Sequence, residues 1–110
     1  MIVDKNNGIV TITHEKGSLQ QLLKKVDAEY KKFEKNHIII NLFSFSSLSQ
    51  GDLLEFLEVS NQHRKNKHSF VLVTDRVSFD QIPEELVVVP TLQEAHDLIE
   101  MEEIERDLGF

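Results

Sequence analysis

The run His37-Ile38-Ile39-Ile40-Asn41-Leu42-Phe43 decides the fold. Three consecutive β-branched residues in a short, almost uniformly apolar stretch suit a strand covered on both faces, and such a strand lies at the centre of a sheet. Working outward, the segments on either side alternate between helical and extended patterns. Before it, Ser18 is placed to cap a helix running to about Lys35. In that helix Leu22, Val26, Tyr30 and Phe33 form one apolar stripe, with Lys24, Lys25, Lys31 and Lys32 between them. Earlier still, Met1–Lys5 and Gly8–Thr13 read as two short strands joined at Asn6-Asn7-Gly8, where Asn-Gly supplies the positive φ angles of a tight hairpin turn. Ile2, Ile9 or Val10, and Ile12 supply the first sheet contacts.

After the central strand, Ser49 precedes a helix read as continuous to about Lys65, with Leu53, Leu54, Leu57 and Ser60 inward and Asp52, Glu55 and Glu58 in water. Ser69–Thr74 is the next strand. A turn or helical piece around Ser78–Gln81 leads to Pro83, and Leu86–Val89 forms a last strand stopped by Pro90. Thr91 caps the terminal helix, Glu94 completes a capping box, and Gly109 stands where a glycine ends a helix. The order ββαβαβ(α)βα predicts an α/β fold: a mixed, mostly parallel sheet of about five strands flanked by helices, with an N-terminal antiparallel hairpin.

At 110 residues and 12.7 kDa the chain suits one domain over 1–110, too short for two independent cores. The composition, 40% hydrophobic and 28% charged, is that of a folded, water-soluble domain. With no cysteine, thiolate metal sites, iron–sulfur clusters and cysteine nucleophiles are excluded. No stretch has signal-peptide or membrane-helix length, so the expected location is the cytoplasm. The net charge of -7 is concentrated at one end: residues 94–110 hold one Arg against seven acids, while residues 1–93 hold 11 basic against 12 acidic side chains. An acidic surface repels phosphate backbones, and nucleic-acid binding is disfavoured.

Two segments carry a family resemblance. Ile38-Ile39-Ile40-Asn41-Leu42 with the loop Phe45-Ser46-Ser47-Leu48-Ser49-Gln50-Gly51, and the ending Val89-Pro90-Thr91-Leu92-Gln93-Glu94-Ala95, resemble the STAS domain of anti-sigma factor antagonists. The likeness spans nearly the whole chain. It implies a STAS-like sheet and a non-enzymatic, regulatory protein-interaction role. The loop and the following helix would be the binding surface, and the partner a kinase or anti-sigma-like protein. In that family the loop reads Asp-Ser-Ser-Gly and its second Ser is phosphorylated. Matched on Gly51, this chain reads Leu48-Ser49-Gln50-Gly51, so Gln50 occupies the phosphoacceptor position and the switch motif is degenerate.

The extreme C-terminus, Met101–Phe110, is similar to that of small bacterial proteins that carry a ribonuclease Z label. Ribonuclease Z enzymes hold two zinc ions through a His-x-His-x-Asp-His cluster, and His14, His37, His63, His68 and His96 include no such cluster. The likeness therefore implies an RNA-processing accessory protein associated with ribonuclease Z and without nuclease activity of its own, as the alternative to the interaction module.

The residues themselves offer few reactive groups. Ser49 with Asp52 is a capping-box pair, and a phosphate on Ser46, Ser47 or Ser49 would meet a helix N-terminus, which makes Ser49 the candidate phosphorylation site. His63-Arg64-Lys65-Asn66-Lys67-His68 is the densest basic run, with Arg64, Lys65 and Lys67 as candidate RNA contacts, but it lacks interleaved aromatics and suits the negative end of a helix dipole. His63 and His68, five apart, miss the shared face of an i, i+4 metal pair. His96 with Asp97 and His14 with Glu15 are neighbours whose side chains point apart. No catalytic residue, metal site or cofactor is expected.

The terminal helix stands out. Leu92, Ala95 and Ile99 share one face, while Met101, Ile104 and Leu108 fall on nearly the opposite one. Over Thr91–Leu108 it would extend ~27 Å, more than strands of about five residues need for cover. Two readings of this end stand side by side: Met101–Leu108 wraps onto a neighbouring helix of the same domain, or residues 101–110 project and, with Phe110, offer an acidic and apolar surface to a partner or to a second copy of the chain. The partner-binding candidates are Phe45, Ser46, Ser47, Ser49, Gln50, Gly51, Met101, Ile104, Leu108 and Phe110.

Overall fold

A computed structural model describes residues 1–78, 80 and 82–109. The elements run β1 (Ile2–Asn6), β2 (Ile9–Thr13), α1 (Leu19–Phe33), β3 (His37–Asn41), α2 (Gln50–Leu54), α3 (Leu57–Lys65), β4 (Phe70–Val73), β5 (Val88–Val89) and α4 (Leu92–Asp107). The strands lie side by side in chain order, β1-β2-β3-β4-β5. β1 and β2 are antiparallel, joined through Asn7 and Gly8, both at positive φ (53° and 80°), and the remaining pairs are parallel. The fold is the α/β one expected, with β3 at the sheet's centre.

The alternation of side chains along β3 divides the interior. Ile38 and Ile40 point to one face, where they meet Val10, Ile12, Phe70 and Leu72 from the neighbouring strands, Leu22 and Val26 of α1, and Leu53 and Phe56. Ile39 points to the other and packs with Val71, Val73, Ala95 and Ile99 under α4. Successive parallel crossovers in one direction with the usual right hand put their helices on one face; α4, with no strand to follow, returns over the other.

Several local expectations are corrected. The central strand ends at Asn41, whose side-chain oxygen accepts from the Phe43 N–H, and Phe43 is exposed. The segment after Ser49 is two helices: at Glu55 and Phe56 the backbone tightens to bonds with Asp52 and Leu53, three residues back. Leu54 does not face inward; Leu53, Phe56, Ser60 and His63, spaced three, four and three, are the fully buried positions. The last strand is confined to Val88–Val89. The Thr91 hydroxyl accepts from the Glu94 N–H, but the Glu94 carboxylate takes its bond from that same hydroxyl and not from the Thr91 backbone, so this cap is half a box. Ser18 and Ser49 both form full capping boxes. The piece around Ser78–Gln81 lies partly outside the described residues. Among the described residues no helix is long and apolar enough to cross a membrane.

Candidate functional site

The parallel strands give the molecule two ends. At their carboxyl end lies the Phe45–Gly51 loop. Ser46 and Ser47 are exposed, and Phe45, half-buried, stacks on the His14 ring at 4.1 Å between centroids and 17° between planes. His14, just past β2, is buried: one ring nitrogen, Nε2, lies 2.9 Å from the Gly17 carbonyl and the other meets the Ser44 hydroxyl. A carbonyl only accepts, so Nε2 carries the proton and Nδ1 accepts from Ser44. Ser49 is exposed but occupied, its oxygen taking the Asp52 N–H at 3.0 Å while Asp52 takes the Ser49 N–H at 2.9 Å. Gln50 and Gly51 form the exposed first turn of α2. Leu48, Ser49 and Leu53 face Asp75, Arg76, Val77 and Ile82 across a shallow cleft.

At the amino end a polar cluster joins four elements. Tyr30 of α1 donates to Nδ1 of His63 at 2.6 Å, and the His63 Nε2–H reaches the Asn36 carbonyl at 2.6 Å. Burial pushes the His63 pKa down to about 4, and burial first, then Glu34, raises that of Tyr30. The Ser69 N–H donates to Nδ1 of His37 at 2.9 Å, which leaves Nε2–H for Glu103 at 2.7 Å. Burial lowers the His37 pKa although Glu103 opposes it. Glu102 takes Arg64 at 2.9 Å and the Ser69 hydroxyl at 2.6 Å, with Arg106 3.9 Å away. Burial alone would raise its pKa, but Ser69 and Arg64 hold it below the usual carboxylate value.

His63 and His68 lie with ring centroids 5.3 Å apart, although their spacing gives them no shared helix face. α3 ends between them. Asn66 closes it, Lys67 adopts a left-handed φ of 67°, and the N–H groups of Lys67 and His68 bond back to Arg64 and His63. This Schellman closure folds His68 over His63. The cluster was hidden from sequence reasoning, although His63 lies ten residues after Leu53 on the same buried stripe. Among the described residues no group of three or more His, Asp or Glu is arranged to hold a metal ion.

Of the candidate RNA contacts, Lys65 and Lys67 are exposed, whereas Arg64 is half-buried and gives one nitrogen to Glu102 and another to the Phe70 carbonyl at 3.1 Å. Met101 and Ile104 on α4 and Leu108, which caps it, are 56%, 54% and 66% exposed. The same stretch of helix is held by polar side chains, Glu102 to Arg64 and Ser69, Arg106 to Ser69 and Glu103 to His37, and shows its apolar ones to solvent. Phe110 lies outside the described residues. No protein-family model matches the chain, and a search of curated proteins finds no match.

Proposed function

We propose that this chain is a non-enzymatic protein-interaction module of STAS, anti-sigma factor antagonist-like type, working in the cytoplasm with its phosphoswitch motif degenerate at Gln50. The observation that carries the interaction role is the row Met101, Ile104 and Leu108, each more than half exposed on a helix whose opposite side is held to the sheet. Apolar side chains are left in water on a rigid support where a partner covers them. The family type rests on the chain's resemblance, and the α/β fold with its N-terminal hairpin is compatible with it. The Phe45–Gly51 loop and the start of α2 are the second contact surface.

The test is affinity purification from native cells with the wild-type chain and with a Met101→Gln, Ile104→Gln, Leu108→Gln variant. The expected outcome is a stoichiometric protein partner kept by the first and lost by the second. The same set of proteins on both would overturn the role of α4. Incubation with a GHKL-type kinase, read by mass spectrometry, checks whether Ser46, Ser47 or Ser49 is modified. The accessory role beside ribonuclease Z draws less support, because Arg64 is committed to Glu102. A gel shift with tRNA at two salt concentrations separates the two readings, since phosphate contacts weaken steeply with salt.

A further inference from the structure

A serine and a histidine from different strand ends meet at the carboxyl end of the sheet. Ser44 sits in the loop after β3, exposed to solvent; His14 follows β2 and is buried. Three features of the pair go together. The Ser44 hydroxyl is hydrogen-bonded to Nδ1 of His14. The Nε2–H of His14 is fixed by the Gly17 carbonyl at 2.9 Å, so the basic nitrogen is the one turned toward the serine. The ring is held in its plane by Phe45, stacked at 4.1 Å. A nucleophile in contact with a base that is itself oriented by a third group is the arrangement used for covalent catalysis.

We propose that Ser44 is an activated nucleophile that takes an acyl group from an activated carboxylic ester, with His14 as its general base. Oγ of Ser44 attacks the ester carbonyl as its proton passes to Nδ1 of His14. Collapse of the adduct breaks the bond to the leaving oxygen, which takes that proton, so the products are O-acylated Ser44, a free alcohol and neutral imidazole. In the charged intermediate both ring N–H groups are paired, one with Gly17 and one with the reacting oxygens. The inference goes beyond the docking role and leaves the chain without turnover: the reaction stops at the ester on Ser44, next in the chain to Phe45, one of the loop residues offered to a partner.

The test uses the whole chain and an alkyl fluorophosphonate, which bonds to activated serine oxygen with loss of fluoride, followed by peptide mass spectrometry. Ser46 and Ser47, exposed in the same loop, are internal controls. General-base help is worth on the order of 100-fold in rate, so Ser44 is expected to be labelled about 100-fold faster than Ser46 and Ser47. Equal labelling of the three serines in the wild-type chain overturns the proposal, and that comparison does not depend on any variant folding. In His14→Gln the Ser44 advantage is expected to vanish while Ser46 and Ser47 keep their rates; in His14→Gly added imidazole is expected to restore part of it, which a loop fastener would not do. p-Nitrophenyl acetate should leave an acetyl ester on Ser44, and its absence after release of p-nitrophenolate overturns the acyl assignment.

Discussion

The hydroxyl of Tyr30 on α1 donates to Nδ1 of His63 on α3 at 2.6 Å, joining two of the helices that cover one face of the sheet. His63 is fully buried and its other nitrogen is spent on Asn36. Removing the hydroxyl leaves a buried acceptor without a donor, which costs about 1–3 kcal/mol. Tyr30→Phe is therefore expected to lower the urea midpoint with an unchanged slope, and a midpoint equal to the wild type would show that water replaces the phenol.

The same residue sets the response to acid. The folded-state pKa of His63, about 4, lies below its ordinary value of 6.5, so the unfolded chain binds the proton more readily. The stability held by the neutral ring is complete above pH 6.5 and is lost as pH falls toward 4, by about 3 kcal/mol over that window. His37, also lowered, acts in the same direction, and Glu102, lowered among carboxylates, adds a loss at more acidic pH. Urea denaturation at pH 7, 5.5 and 4.5 is expected to give steadily falling stability. A flat profile would contradict a buried neutral imidazole.

Lys67 sits at a left-handed φ of 67° in the turn that ends α3, a conformation that costs an L side chain about 1–2 kcal/mol and costs glycine almost nothing. Lys67→Gly is expected to stabilise the fold by about 0.5–1 kcal/mol after the greater freedom of glycine in the unfolded chain is subtracted. Thermal unfolding reads this directly, and a lower melting temperature would mean that the lysine makes a compensating contact.

What was legible in the sequence was what is local. The hairpin at Asn7-Gly8, the caps at Ser18 and Ser49, and the central position of Ile38–Ile40 each follow from a few adjacent residues. The outward turn of Leu54 was also within reach, since it lies a quarter-turn from Leu53 on any helix. The amino-end cluster was not legible, because its bonds join residues 33 and 27 apart in the chain, and its geometry depends on how α3 stops. The His14–Ser44 contact is hidden for the same reason: two loops meet only because β2 and β3 are parallel neighbours in register, Thr13 beside Asn41.

Ser49 shows how structural and functional readings of one residue can be separated. Its oxygen accepts from the Asp52 N–H and the Asp52 carboxylate accepts from its N–H, so Ser49→Ala is expected to cost about 1 kcal/mol through the lost cap. Ser49→Asp retains an acceptor and a negative charge at the helix start, and is expected to recover most of that stability. If Ser49→Ala also lost a binding partner while Ser49→Asp kept it at equal stability, the loop's shape would be the recognised feature.

The terminal helix gives the sharpest contrast, because its two faces make opposite demands. Glu102 is largely buried against Arg64, Ser69 and Arg106, and neutralising it removes the charge that Arg64 faces, although Arg64 keeps the Phe70 carbonyl and Arg106 the Ser69 hydroxyl; Glu102→Gln is expected to cost about 1–3 kcal/mol. Met101, Ile104 and Leu108 are more than half exposed, and glutamine keeps good helix propensity, so each change to Gln is expected to move stability by no more than about 0.5 kcal/mol. Chemical denaturation of the two sets distinguishes support from display. A triple Gln variant as unstable as Glu102→Gln would place the apolar row in the chain's own core and remove it as a surface for a partner.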